Sequence, residues 1–257
     1  MNRIGLLLAL VVLAAIPLQC KAASADQHAI FVGAERAYAA CANLQGVHVL
    51  QGGKVVCLRG KDDATMFIGL LKMRHEISRH PYVIVSGPGG YVNSSIYMVR
   101  VLKPFGPIPV VGDMCASACA QILFLMGKQR VILHCADIAI HRGPASTAQE
   151  LAGKGSDVEK ETAIAAEWRF KQFYRDRHID IDAMAKPPAD IQNKLSSGQI
   201  VFWPWSINKL RAFGVKGIIS DNNPDEVVPK DYGRVCIKPL AVQKAEAAQH
   251  MANDQHE

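Results

Sequence analysis

The sequence predicts an α/β protein with a mainly parallel sheet packed by helices. Three observations predict it. Short apolar runs recur, each closed by Gly or Pro. Amphipathic stretches of helical period lie between them. The two alternate, and strands alternating with helices require crossover connections, which make neighbouring strands parallel.

Taken in order, Val55 to Leu58 reads as a buried strand between Gly53 and Gly60. Asp62 or Asp63 caps the next helix, whose apolar positions Met66, Phe67, Leu70, Leu71, Met73 and Ile77 fall three and four residues apart. Tyr82 to Val85 is the second strand, stopped by Gly87-Pro88-Gly89-Gly90. Val92, Ile96, Val99 and Leu102 mark a second helix ended by Pro104, and Ile108 to Val111 a third strand. Ser117 to Met126 reads as a third helix, closed by Gly127, with short strands at Val131 to Leu133 and Ile138 to Ile140. Pro144 to Ser156 is polar and rich in Gly, Ala and Ser, a loop. Asp157 to His178 is a long charged helix with Val158, Ile164, Trp168 and Phe173 as its expected buried stripe. Ser206 caps a last helix stopped at Gly214, and Val215 to Ile219 is a final strand.

Composition sets the boundaries of function. The 257 residues are 49% hydrophobic and 20% charged, ordinary globular usage that excludes a wholly disordered chain. The net charge is +6, with two of the positive residues, Arg3 and Lys21, in the first 25. No run of Lys or Arg interleaved with aromatics occurs, so no nucleic-acid partner is expected. Arg3, the apolar run Ile4 to Ile16 and the small-residue site Ala23-Ser24-Ala25 follow the order of a secretory signal peptide, with the mature chain beginning near Asp26. The expected location is therefore periplasmic or secreted. Cys20 leaves with that peptide, and the other six cysteines (Cys41, Cys57, Cys115, Cys119, Cys135 and Cys236) form an even set, as disulfides in an oxidising compartment require. Cys115, Cys119, His134 and Cys135 are the competing metal reading. With no C-x-x-C pair present, disulfides are favoured, and neither metal nor cofactor is expected.

Three segments place chemistry at strand ends. The paired glycines of Pro88-Gly89-Gly90 expose backbone N–H groups between a strand and a helix, able to hold an anion or a polarised carbonyl oxygen or serving simply as a tight turn. In Cys115-Ala116-Ser117-Ala118-Cys119, a serine among small residues stands where strand passes into helix; it is a nucleophile or a simple N-cap. His141 ends an apolar strand, structural when alone but a general base when a serine is in reach.

The order Pro88-Gly89-Gly90, Ser117, His141 resembles the Clp protease proteolytic subunit, and still more the exported relatives within the ClpP/crotonase superfamily, which carry a Cys-x-Ser-Ala-Cys serine motif. The resemblance runs from about Val55 to Ile219 and includes Gly127 with Arg130 and the Phe213-Gly214-Val215 turn. It implies a ClpP/crotonase-type fold of repeated β-β-α and β-α-β units. It also implies Ser117 as nucleophile, His141 as general base, and the N–H groups of Gly89 and Ala118 as oxyanion hole. Two departures stand out: Gly87 replaces the serine that usually precedes Pro-Gly-Gly, and Ser196 to Trp203, where the family has an aspartate, holds no carboxylate. Gln199 or Asp190 are the candidates for orienting the imidazole.

The division that follows is a signal peptide at 1–25, an N-terminal extension at 26–54, a ClpP/crotonase-like domain at 55–220 and a C-terminal extension at 221–257 with a flexible tail. The expected function is an exported serine hydrolase, a ClpP-like peptidase acting on peptide or protein. The alternative is a catalytically weak or inactive scaffold on the same fold. An exported chain has no ATP-driven unfoldase to serve, and a homo-oligomer is left open. Cys119 with Cys135 is the preferred bridge, because strand Val131 to Leu133 is expected to pass near that helix. Cys41 with Cys57 follows from proximity in sequence, and Cys115 with Cys236 by elimination.

Overall fold

In the computed structural model, residues 25–134, 136–140, 157–187, 191 and 203–221 are described, with 157–160 as backbone only. They form an α/β fold in which a curled, mostly parallel sheet is packed by helices. Its elements are helix α1 (25–41), β1 (Gly46–Leu50), β2 (Val55–Asp62), α2 (Ala64–Met73), β3 (Tyr82–Gly90), α3 (Val92–Leu102), β4 (Ile108–Val111) and β5 (Met114–Ala116). After a π-helical turn at Cys119–Leu123 come β6 (Arg130–Ile132), β7 (Asp137–Ile140), α4 (Asp157–Arg175), α5 (Ile181–Ala185), β8 (Trp203–Pro204), α6 (Ile207–Ala212) and β9 (Ile218–Ser220).

β3 is the hub. β2 pairs with it along one edge, from Val55↔Tyr82 to Asp62↔Gly90, with a bulge between Arg59 and Lys61. The other edge is shared: β4 pairs with Tyr82 to Ile84, and β5 takes over at Gly87↔Cys115. Beyond that point the sheet divides into β4–β6–β9 and β5–β7–β8. Among the described strands, only β1 on β2 and β8 on β7 are antiparallel.

The apolar runs are continuous because the sheet is covered on both faces. Val56, Leu58, Val83, Val85, Val111 and Ile132 enter one core with α2, α3, the π-helical turn and α4. The alternate residues Val55, Cys57, Ile84, Val110, Val131 and Leu133 enter a second core under α1. Asp63 caps α2 by accepting from the Met66 N–H at 3.0 Å, and Ser206 caps α6 by accepting from the Lys209 N–H at 3.2 Å. Arg130, 5% exposed, donates to the carbonyls of Gly127 and Lys216 and ties β6 to the approach of β9. No helix among the described residues is long and apolar enough to cross a membrane.

Several elements differ from the sequence reading. No long helix starts at Ser117: β5 precedes it, and the π-helical turn follows. The buried stripe of α4 is Phe170, Phe173 and Tyr174, whereas Ile164 and Trp168 are 60% and 62% exposed. Tyr174 sets that rotation by donating from its hydroxyl to the Gln121 carbonyl at 2.8 Å. The side chain of Val158 lies outside the described set, as does the loop Pro144 to Ser156.

Candidate active site

Ser117 stands at the end of β5 with φ +54, a left-handed conformation that costs a non-glycine residue about 1–2 kcal/mol. Two backbone bonds hold it there. Its N–H donates to the Ala139 carbonyl of β7 at 2.9 Å, and its carbonyl accepts from the Gln121 N–H at 2.8 Å. From Cys115 to Gly127 every residue is buried except Ser117. Strain and partial exposure thus coincide on one residue, a combination that clusters at functional sites.

The glycine turn meets this elbow directly. Gly89 has φ +83, and a Cβ built on it would lie 2.5 Å from the Ala116 carbonyl oxygen, 2.6 Å from Ser117 Cβ and 2.7 Å from the Ala118 nitrogen. Only a residue without a side chain lets β3 pass that close. At Gly87, φ is +153 and a Cβ would run into the Gly60 carbonyl oxygen at the β2 bulge. The serine of the family pattern has no room in this chain.

The disulfides correct the sequence reading. Cys41 is bonded to Cys57, as proximity suggested. Cys115, however, is bonded to Cys119, with Cα atoms 5.3 Å apart, which overturns both Cys119–Cys135 and Cys115–Cys236. Two cysteines at i and i+4 on one helix bond one another poorly. Cys115 is instead on a strand and Cys119 opens the π-helical turn, and the reversal at Ser117 brings them within bridging distance. Two bridges suit an oxidising, non-cytoplasmic environment. Of the other expected site residues, His141, Asp190, Gln199, Cys135 and Cys236 lie outside the described residues. β7, which runs towards His141, is described as far as Ile140, and its Ala139 pairs with Ala116 of β5.

Two buried polar groups near the elbow were not singled out for the site from sequence. Arg59 of β2 donates to Asp113 at 2.6 Å, at the corner between β4 and β5. Asp62, at the end of β2 opposite Gly90, is 2% exposed and accepts from the Ser95 hydroxyl at 3.0 Å. Burial pushes its carboxyl up to about 7 against the lowering effect of that hydrogen bond, and Asp63 raises it further. The folded protein therefore binds a proton that the unfolded chain releases between about pH 4 and 7, so this group's contribution to stability falls as pH rises through that window. Asp62→Asn, which keeps an acceptor for Ser95, should flatten the fall. Between pH 5 and pH 8 the wild type should lose on the order of 2–3 kcal/mol more in urea unfolding than the variant. Equal losses would show that Asp62 titrates normally.

Compared with known proteins, the chain matches no family model and no curated protein. Among solved structures it is similar to a point mutant of ClpP1 from Listeria monocytogenes. The two are 15% identical over 66% of this chain and 91% of that one, with a TM-score of 0.41.

Proposed function

We propose that the chain is an exported serine hydrolase, a peptidase, with Ser117 as nucleophile and His141 as its general base. One observation carries the reading: the sole accessible residue of a long buried stretch is a serine held in a left-handed elbow, with a glycine of the neighbouring strand against the following amide. Ser117 Oγ adds to the scissile carbonyl carbon while His141 takes the hydroxyl proton. The N–H groups of Gly89 and Ala118 hold the oxyanion. Collapse expels the amine, which recovers the proton from the imidazolium, and water repeats the sequence on the acyl-enzyme. The order of Pro88-Gly89-Gly90, Ser117 and His141 in the sequence supports these roles.

The test is a fluorophosphonate probe, which phosphonylates only an activated serine: Oγ bonds to phosphorus and fluoride leaves. Covalent labelling of the wild type should map to Ser117, vanish in Ser117→Ala and fall to background in His141→Ala. Labelling that survives either change would refute the assigned roles. A wild type that does not label would leave a binding scaffold as the better reading, since Ser196 to Trp203 lacks the orienting carboxylate.

A further inference from the structure

We propose that the Cys115–Cys119 bridge is the positioning element of the Ser117 elbow, so that the chain carries a competent site only once these two thiols are oxidised. The inference rests on the hydrolase reading. An extended stretch of this length would hold the two Cα atoms about 13 Å apart, whereas the bridge holds them at 5.3 Å with Ser117 at the apex. The enclosed residues are Ala116, Ser117 and Ala118, small enough to let β3 approach at Gly89. The bridge therefore closes the loop that carries the serine, and Gly89 packs against Ser117 Cβ and the Ala118 nitrogen.

Its placement suits positioning better than global stability. A bridge over so short a loop restricts the unfolded chain little, and both cysteines sit in a stretch already buried, Cys115 at 0% and Cys119 at 1% exposure. Cys41–Cys57, by contrast, ties α1 to the sheet across 16 residues. A local feature does need the short bridge: Ser117 at φ +54, where an unconstrained chain would relax to negative φ. Closing the bridge removes two protons and two electrons from the thiols, and an oxidant of the protein-disulfide class takes up both and becomes a dithiol. With the sulfurs buried, the step belongs to folding rather than to reversible switching of the folded protein.

The experiment is saturation kinetics of fluorophosphonate phosphonylation on the full chain, which separates probe affinity from the maximal rate. In Cys115→Ala/Cys119→Ala the maximal rate should fall about 10–100-fold with little change in affinity, because a misplaced nucleophile loses rate rather than binding. Cys41→Ala/Cys57→Ala, assayed where it remains folded, should keep the wild-type rate. Cys115→Ser and Cys119→Ser give the same readout if the alanine pair does not fold. A wild-type rate in the folded bridge variants would overturn the inference and leave the hydrolase reading intact. If the wild type itself is not phosphonylated at Ser117, the hydrolase reading fails. The bridge is then judged by amide exchange. Faster exchange at Ser117 and Gln121, with β4 and β6 unchanged, upholds its positioning role, and unchanged exchange overturns it.

Discussion

Gly89→Ala is expected to reduce fluorophosphonate labelling of Ser117 by about 10²–10³-fold, the loss typical of a damaged oxyanion site, and to destabilise the fold by about 3 kcal/mol. The two effects share one cause. The added methyl group lands 2.5–2.7 Å from three atoms, two of them backbone atoms of the elbow, so no side-chain rotation can relieve the clash. Either β3 or Ser117-Ala118 must move, and each movement separates the two N–H groups proposed to share the oxyanion. The left-handed φ of +83 adds its own penalty, and Gly46 isolates it. Gly46 has φ +81, and a methyl group added there would meet nothing within 4 Å. Gly46→Ala should therefore cost only about 1 kcal/mol and leave probe labelling unchanged. Urea unfolding and probe kinetics on the two variants provide the measurement. If Gly89→Ala behaves like Gly46→Ala in both, the close approach has no functional weight.

The parts of this molecule that could be read from sequence are those governed by burial on two faces. Val55 to Leu58, Tyr82 to Val85 and Ile108 to Val111 are all strands, since apolar runs rich in Val and Ile between glycines and prolines suit a sheet covered on both sides. Periodicity was less decisive for helices. In α4, Ile164, Trp168 and Phe173 carry the expected apolar period, but of these only Phe173 is buried; it packs with Phe170 and Tyr174, and Arg177, in the turn after the helix, donates to the Leu125 carbonyl at 3.2 Å. Two offset stripes coexist on one helix, and only the neighbouring π-helical turn decides between them. Helix α1 shows the same i, i+3, i+4, i+7 spacing in Ala34, Ala37, Tyr38 and Cys41, a signal present in the sequence but weak because two of its members are alanines.

The site divides similarly. A small-residue serine segment and a paired glycine turn are visible as types, and the structure brings Ser117, Ala118 and Gly89 together. What local sequence does not reveal is the path of Cys115 to Cys119. Ala-Ser-Ala-Cys-Ala has no helix breaker, so propensity favours a helix from Ser117 onward. The disulfide and the bond from the Ser117 N–H to Ala139 override that preference, and both depend on tertiary structure.

Opening the other bridge should also have a large effect on stability. Cys41→Ala/Cys57→Ala is expected to lose about 3 kcal/mol, the loop-entropy value for a bridge of this span. The cysteines are 16 residues apart and fasten the end of α1 to β2. Around them α1 covers Ile84, Val110, Val131, Leu133 and Ile219, apolar surface that would face water if the helix lifted. A second attachment opposes complete detachment. Tyr38 packs on the Gly112 backbone, where a side chain would meet its ring at 2.6 Å, and beside the Arg59–Asp113 pair, with the Arg59 guanidinium 5.9 Å from the ring centre. Burial, reinforced by the Asp113 charge, pushes the Tyr38 phenol far above its ordinary range, so it stays a neutral hydroxyl and the attachment persists across the physiological pH range. The variant should therefore unfold in urea at a lower midpoint with a similar slope, as one cooperative unit. A loss below about 1 kcal/mol would mean that the Tyr38 attachment alone holds α1. A separate early transition would mean that the bridge is what makes α1 part of the cooperative fold. Because α1 covers the sheet face opposite the core that contains Cys115, Ala118 and Cys119, neither result should change the reactivity of Ser117 while the sheet remains folded.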